Sequence, residues 1–415
     1  MDEQEDLIGR LTRFYRVARH EVPSTPPPWM PRERRTVRWL QPVLASAAIV
    51  AVAAGLAVTL RLVRDHATRA TIAATPTVSA VPSTSPTASA SPSPSASVGA
   101  NWVTRQVPVG EVTAMALDSS AIFALYAPAP TSGAIDVSQM RLARIDRATG
   151  SVTTAGPFPN AAHLTRVAAG VWIAAGAEQG TSADTQWLTL VDPVTLTVEQ
   201  RVHLPGPPDP AMVTQPQLAG ASTLLWLGYG HSLYRLDPNT AQVLVTQTLP
   251  GVATSISIDP SGQRLYVGIE NTSNQPGQDL VIESDASTGA RLASAPTGGR
   301  SLGGPEVAAA SDGVWIAYAT GTMGQVEHRS ATTLAVLTGA GGTHSNGIHV
   351  FVGGSALWLV DAGAQRLACA DLPTGTVAAS SQETLPAAIV ADANGTYLAG
   401  ADGVAFLQPP ASCPH

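Results

Sequence analysis

The sequence predicts an all-β fold over residues 101–415, a seven-bladed β-propeller, because two repeats share one period. The first repeat is a strand centred on an aromatic residue, at spacings of 39 to 54 residues: Phe123, Trp172, Trp226, Tyr266, Trp315, Trp358 and Tyr397. This spacing is the length of one four-stranded propeller blade. The second repeat is an Asp-x-x-Thr turn in which serine once replaces aspartate: Asp146, Asp192, Asp237, Asp285, Ser330 and Asp371. Composition agrees, because 37 glycines, 33 prolines and only 13% charged residues suit short strands joined by turns.

The sequence of each repeat unit predicts the same order of elements: an inner strand, the aromatic strand, a third strand, the Asp turn and an outer strand. Blade two shows this order: His163–Ala168, Val171–Ala174, Gln186–Val191 and Val198–His203. Its alternation and β-branched content are typical of half-buried strands. We expect each aromatic side chain to fill the wedge between neighbouring blades, and each aspartate to cap its own turn through backbone amides.

The seventh unit contains only three strands before the chain ends, so the strand Trp102–Val109 is predicted to supply the fourth. This pairing would close the ring and leave no open strand edge at the joint. The two cysteines of the chain, Cys369 in blade six and Cys413 near the carboxyl terminus, would then be neighbours. They are a disulfide candidate that would fix the carboxyl terminus, and the alternative is two unpaired thiols.

Three segments resemble the YncE-like (YVTN-repeat) seven-bladed β-propellers of the quinoprotein-dehydrogenase-like superfamily. They are Gly170–Ala174 followed by Asp192–Thr195, then Asp259–Val267, and then Gly313–Ala317. The resemblance covers roughly residues 101–410 and implies the fold. Its motifs are structural, and they imply no particular ligand.

Residues 39–63 are predicted to form a transmembrane helix. The stretch Trp39–Leu60 has no charged residue, and at 1.5 Å per residue it spans about 33 Å, enough for a bilayer core of roughly 30 Å. A buried core helix would lack helical neighbours, and a cleaved signal peptide would have too long a charged region. Eight arginines precede the stretch and three follow it closely, which predicts a cytoplasmic amino terminus and an extracytoplasmic propeller in the cell membrane.

The segments on either side of this helix have different compositions. Residues 64–100 are rich in Pro, Ser, Thr and Ala and are predicted to be a disordered stalk. Residues 1–38 contain one amphipathic helix within Glu5–His20, with Leu7, Leu11 and Phe14 on one face. It would lie on the membrane or bind a cytoplasmic partner, and the alternative is a tail that only sets the topology.

The charge of the propeller excludes nucleic acid as a partner. Residues 101–415 contain 12 arginines against 23 aspartates and glutamates. Neutralising phosphates requires a concentrated basic surface, which this composition cannot provide.

The mouth of the central channel, where the inner strands begin, is the candidate site. Nine residues before an aromatic stand His163, Gln217, Glu306 and His349, and an additional glycine pair in the turn of blade six makes His344 or Asn346 the alternative to His349. These side chains could bind a polar ligand or a metal. The alternative is that these polar side chains only line a water-filled channel and bind no ligand. We assign no metal site and no cofactor, because zinc-type Cys/His spacings are absent.

The function predicted from these features is a membrane-anchored extracytoplasmic module that binds a small ligand or a protein, for sensing or as a scaffold, without catalysis. Motifs for a nucleophilic serine, a zinc protease or a phosphate-binding loop are absent from the sequence. Two alternatives stay open. One is a transmembrane regulator whose tail binds a sigma factor or another partner, since the topology resembles that of bacterial anti-sigma regulators. The other is a metal-assisted lyase or hydrolase that uses the central channel.

Overall fold

The computed structural model describes residues 102–128, 136–176, 186–205, 215–271, 278–299, 303–320, 323–339, 344–345, 347–382 and 388–414. Within these ranges no helix has the length and apolarity needed to cross a membrane. The predicted tail helix (1–38), transmembrane helix (39–63) and stalk (64–100) lie outside the described residues.

The described chain forms 29 strands and one 3-10 turn, Val137–Gln139, and the strands group into seven antiparallel blades. Blade one contains β2 (Glu111–Leu117), β3 (Ala121–Ala127), β4 (Arg141–Asp146) and β5 (Val152–Ala155). Blade two contains β6 (Ala161–Val167), β7 (Gly170–Ala175), β8 (Trp187–Val191) and β9 (Val198–His203). Blade three contains β10 (Gln217–Ala221), β11 (Leu224–Tyr229), β12 (Ser232–Leu236) and β13 (Val243–Thr248). Blade four contains β14 (Val252–Ile258), β15 (Arg264–Glu270), β16 (Leu280–Asp285) and β17 (Arg291–Pro296).

Blades five to seven complete the ring. Blade five contains β18 (Glu306–Ala309), β19 (Gly313–Thr320), β20 (Met323–Ser330) and β21 (Val336–Gly339), and the short β22 (His344–Ser345) pairs with β20. Blade six contains β23 (Ile348–Gly353), β24 (Ala356–Asp361), β25 (Arg366–Asp371) and β26 (Val377–Ser381). Blade seven contains β27 (Ala388–Asp392), β28 (Gly395–Gly400), β29 (Gly403–Leu407) and β1 (Val103–Val107).

The amino-terminal strand closes the propeller, as the sequence predicts. In blade seven the strand order is β1-β29-β28-β27, and β1 pairs antiparallel with β29, with Val107 opposite Val404. The inner strands β2, β6, β10, β14, β18, β23 and β27 each contact the next one, and β27 contacts β2. The prediction of an all-β seven-bladed propeller closed by an N-terminal strand is therefore confirmed.

The aspartate turns form as expected, because the carboxylate collects the free amides of its own turn. Asp285 accepts hydrogen bonds from the amides of Ser287 and Thr288 at 3.0 and 2.8 Å, and also from both hydroxyls. These hydroxyl and amide bonds lower the pKa of Asp285 to about 2. The fifth turn position has positive φ even where the residue is Leu196, Ala241 or Leu334, so the conformation does not depend on glycine.

The seven aromatic side chains fill the wedges between blades. Each is the third residue of the second strand in its blade, and each is 0–4% exposed. The buried apolar residues form seven clusters, and every cluster draws on two neighbouring blades. The core is therefore a ring of interfaces between blades rather than one central mass.

Three of the four tryptophans among these aromatics also bind the next blade through the indole N–H. Trp172 donates to the carbonyl of Pro238, Trp226 to that of Ala286 and Trp315 to that of Leu372. Each acceptor is the residue immediately after the aspartate of the next blade's turn. The two repeats found in the sequence are thus in direct contact across these three blade interfaces.

The carboxyl terminus is bonded covalently to blade six. Cys369 in β25 and Cys413 form a disulfide with a Cα–Cα distance of 5.8 Å, and both residues lie in the apolar cluster between blades six and seven. This cluster also contains Trp102, the residue before β1. Both ends of the propeller chain therefore meet at one blade interface.

Candidate functional site

A cavity of about 410 Å³ lies at the predicted mouth of the central channel, and we call it the channel-mouth cavity. It collects side chains from the inner strands of blades two to six, including His163, Gln217, Ser255, Glu306 and His349. These residues are up to 186 positions apart in sequence (349 − 163), and only ring closure brings them together. Its volume falls in the range of ordinary small-ligand pockets, about 300–1,000 Å³.

His163 is a neutral hydrogen-bond donor in this cavity. The amide of Leu218 in the neighbouring blade donates to its Nδ1 at 3.3 Å. Burial among protein atoms lowers the pKa of His163 to about 4, so its ring carries no charge at neutral pH. Because Nδ1 accepts a hydrogen bond, the single ring proton is on Nε2 and can be donated to a ligand.

Glu306 and His349 form a hydrogen-bonded pair on another part of the wall. His349 Nδ1 donates to Glu306 Oε2 at 2.9 Å, joining the inner strands of blades five and six. The hydrogen bond to Glu306 raises the pKa of His349, although burial opposes this shift. The imidazole is half exposed and the carboxylate is 29% exposed, so both groups can contact solvent or a ligand.

The remaining wall is polar, but most of its polar groups form hydrogen bonds between blades four and five. The Ser255 hydroxyl accepts from the amide of Val307 at 3.2 Å, and Thr254 donates to the carbonyl of Pro305 at 3.0 Å. Gly304 lies so close to Thr254 that a Cβ atom at this position would come within 2.5 Å of its side chain, and its φ is +74°. Glycine is therefore required where this connection turns into β18.

His344, the alternative to His349, lies away from this cavity. It is 3% exposed on β22, where it pairs with Gly324, and its Nδ1 is 3.6 Å from Asp361 Oδ2. The strand β22 is an additional strand that pairs with β20, and β23 keeps the ordinary register of an inner strand as far as Gly353, so the glycine pair of this turn does not displace His349. Asn346 lies outside the described residues. His163, Gln217, Glu306 and His349 thus share one cavity, and His344 does not.

Several wall residues have no signal in the sequence that would identify them as part of a cavity. Tyr318, at the far end of the aromatic strand β19, lines the cavity and donates to Glu327 at 3.3 Å. Gly303 and Gly347 contribute backbone. Within the described ranges no three His, Cys, Asp or Glu side chains form a group that could hold a metal ion.

Comparisons with known proteins give the fold and no family. No family model matches the sequence, and no curated protein matches it. A chain in the crystal structure of the Mitotic Checkpoint Complex is similar with a TM-score of 0.55 and 12% identity, over 80% of this chain and 99% of that chain. BamB from Moraxella catarrhalis is similar with a TM-score of 0.47 and 14% identity, over 71% of this chain and 84% of that chain. At these identities the likeness is one of fold, and membership of the YncE-like family stays a prediction.

Proposed function

We propose that this chain is a binding module without catalysis, whose propeller takes a polar ligand in the channel-mouth cavity. The observation that carries this proposal is the convergence of His163, Gln217, Glu306 and His349, from four different inner strands, on one cavity of about 410 Å³. The propeller fold itself is consistent with a binding or scaffold role.

The charges of the cavity favour a ligand that is polar and uncharged. His163 is neutral and donates through Nε2, and Gln217 offers both an amide donor and an amide acceptor. The Glu306 carboxylate already accepts a hydrogen bond from His349. A ligand with several hydroxyl or amide groups would satisfy these side chains without leaving an unpaired charge.

The proposal includes the location of the module. Residues 39–63 would anchor the chain in the cell membrane, with residues 1–38 in the cytoplasm and the propeller outside. The Cys369–Cys413 disulfide supports this location, because disulfides persist in oxidising compartments. A protein partner is also compatible with the fold, since a similar propeller chain belongs to the Mitotic Checkpoint Complex.

A thermal-shift screen of the purified full-length chain against neutral saccharides and small carboxamides tests the ligand. We expect a hit that raises the unfolding midpoint, and we expect this rise to disappear in His163→Ala and in Glu306→Gln. His203→Ala and Glu199→Gln, on the exposed outer strand of blade two, are the matched controls and should keep the rise. A shift that survives both channel-mouth variants would contradict the proposal, and so would a screen without hits.

Metal analysis of the same preparations distinguishes the enzyme alternative from the binding module. A stoichiometric metal in the wild-type chain that is lost in His163→Ala would favour a lyase or hydrolase over a binding module.

Protease treatment of intact cells tests the location separately. We expect cleavage within residues 101–415 without cell lysis, and a protected amino-terminal tag. Protection of the propeller would place it inside the cell and overturn the topology while leaving the ligand site intact.

A further inference from the structure

The interface between blades six and seven contains a buried indole N–H without an acceptor. At three other interfaces the equivalent tryptophan donates to a backbone carbonyl, at distances of 2.8, 2.9 and 3.1 Å. Trp358 has the same position in its strand and is only 1% exposed. Its Nε1 nevertheless has no hydrogen-bond partner.

The way the ring closes explains why this acceptor is missing. Elsewhere the accepting carbonyl belongs to the turn that joins the third strand of the next blade to its outer strand. Blade seven has no such turn, because its outer strand β1 comes from the opposite end of the propeller chain. After Leu407 the chain instead continues through Gln408 to Cys413, where the disulfide binds it to blade six.

A cavity of about 420 Å³ lies beside this indole. We call it the closure cavity, and its wall includes Trp358, Gly353, Gly354, Asn394, Gly395 and Gln408. Gly353 ends β23, whereas His349 lies near the beginning of that strand, so this cavity and the channel-mouth cavity lie at opposite ends of the same inner strand. Its volume also falls in the range of small-ligand pockets, about 300–1,000 Å³.

The wall of the closure cavity carries little uncompensated charge. Asp392 lines it, but both carboxylate oxygens accept from Arg147, at 2.5 and 2.6 Å, and one of them also accepts from the amide of Asn394. The cavity therefore offers the Trp358 N–H, the side-chain amides of Asn394 and Gln408, and glycine backbone. This set suits an uncharged ligand with carbonyl acceptors.

We propose that the closure cavity is a peptide-binding site, in which Trp358 Nε1 donates to a backbone carbonyl of a partner protein's turn segment. The same indole position already binds a peptide carbonyl at three interfaces of this ring. At the fourth, no turn of blade seven occupies the equivalent position, and the exposed residues Ala393 and Ala411 line the cavity beside the indole. This proposal is independent of the channel-mouth ligand, because the two cavities share no wall residue.

The test uses the full-length chain with ¹⁵N-labelled tryptophan and observes the indole N–H resonances by NMR. The probe is an acetyl- and amide-capped peptide with the sequence of residues 370–376, the turn whose Leu372 carbonyl accepts from Trp315. The Trp358 resonance is identified by its loss in Trp358→Phe. We expect the peptide to shift this resonance downfield, with the resonances of Trp172, Trp226 and Trp315 unchanged.

Binding constants of variants, measured by calorimetry, decide the outcome. Trp358→Phe keeps an aromatic ring and removes the donor, and it should weaken peptide binding about tenfold, the value of one hydrogen bond. Trp172→Phe is the matched control and should bind as the wild type does. Ala393→Trp, which narrows the cavity without changing Trp358, should also weaken binding. An unmoved Trp358 resonance, equal binding by Trp358→Phe, or binding of N-methylacetamide as tight as that of the peptide would each overturn the proposal.

Discussion

The interfaces between blades five and six and between blades six and seven use the same aromatic position in different ways. In the first, Trp315 donates to the carbonyl of Leu372 at 3.1 Å and stacks on His328 with ring centroids 4.7 Å apart. In the second, Trp358 has no acceptor and packs edge-on against Trp102 at 6.3 Å. Closing the ring with a strand from the other end of the chain removes one turn, and with it one hydrogen bond.

The closing blade is held by other interactions. On the side of blade six, the Cys369–Cys413 disulfide lies in the same apolar cluster as both tryptophans. On the side of blade one, Arg147 binds Asp392 through two bonds, the Tyr397 hydroxyl at 2.8 Å and the carbonyl of Asp118 at 2.8 Å. The three interfaces with a bonded tryptophan use an indole–carbonyl hydrogen bond, whereas the closing blade uses a covalent bond and the Arg147–Asp392 ion pair.

The disulfide should therefore contribute most to this difference. Cys413→Ala opens a loop whose ends are 44 residues apart, and the chain-entropy relation gives a loss of about 4 kcal/mol in the free energy of unfolding. Urea denaturation of the full-length chain measures this loss, and hydrogen exchange should locate it in β1, β28 and β29. Reduced wild-type protein is the control and should match the variant. A variant as stable as the oxidised wild type would show that the closing blade does not depend on the covalent bond.

The ion pair at blade one should have the second largest effect. Arg147→Met keeps the apolar part of a side chain that is 8% exposed, and it leaves the Asp392 carboxylate without its guanidinium partner. We expect a loss of about 2 kcal/mol, because the buried guanidinium also loses its bonds to Tyr397 and to the carbonyl of Asp118, whereas the partly exposed carboxylate is screened by solvent.

Arg291→Met, at the exposed start of β17, is the matched control and should change the free energy of unfolding by less than about 0.5 kcal/mol. Equal effects of the two variants would mean that the closing blade does not depend on this pair.

The sequence predicts most of this architecture, because blade length, aromatic positions and turn aspartates are local patterns with one period. It also predicts the closing strand, since a unit of three strands needs a fourth. His163, Gln217, Glu306 and His349 could be placed by counting back from each aromatic residue. His344 could not be separated from His349, because the choice depended on the additional strand β22. The sequence shows six turns for seven aromatic residues, but it does not show that Trp358 Nε1 lacks an acceptor, because another segment could have supplied one.

Substitution of Trp315 and Trp358 tests the comparison of the two interfaces at a single atom, the indole nitrogen. Trp315→Phe and Trp358→Phe remove the same indole nitrogen from equally buried positions, so the loss of packing should be similar. Only Trp315→Phe also breaks a hydrogen bond and leaves the Leu372 carbonyl without its donor. We therefore expect Trp315→Phe to lower the free energy of unfolding by about 1–2 kcal/mol more than Trp358→Phe does.

Urea denaturation of both full-length variants measures the difference. Trp226→Phe, which also loses a bonded indole, should match Trp315→Phe. If all three substitutions cost the same, the unpartnered indole has no energetic consequence.

The acid dependence of the closing blade should be the smallest of these effects. The hydrogen bond from Arg147 lowers the pKa of Asp392 below its usual value of 3.8. A carboxyl group with a lowered folded-state pKa stabilises the fold above its unfolded-state pKa, and this contribution is lost as the pH falls through the folded-state pKa.

Asp392→Asn should therefore be less stable than the wild type at pH 7, by about 1 kcal/mol once the exposed third of the side chain is discounted for solvent screening. The difference should stay constant down to about pH 5, decrease below the unfolded-state pKa of about 3.9 and be lost once the pH is below the lowered folded-state pKa. Denaturation curves of both proteins from pH 7 to pH 2.5 measure it. In an Arg147→Met background the same substitution should have a much smaller pH dependence, because only the backbone amides of Asn394 and Gly395 then lower the pKa of Asp392. A difference that persists at pH 2.5 would assign the effect of Asp392 to its turn geometry and remove the ion pair from the account of how blade seven is held.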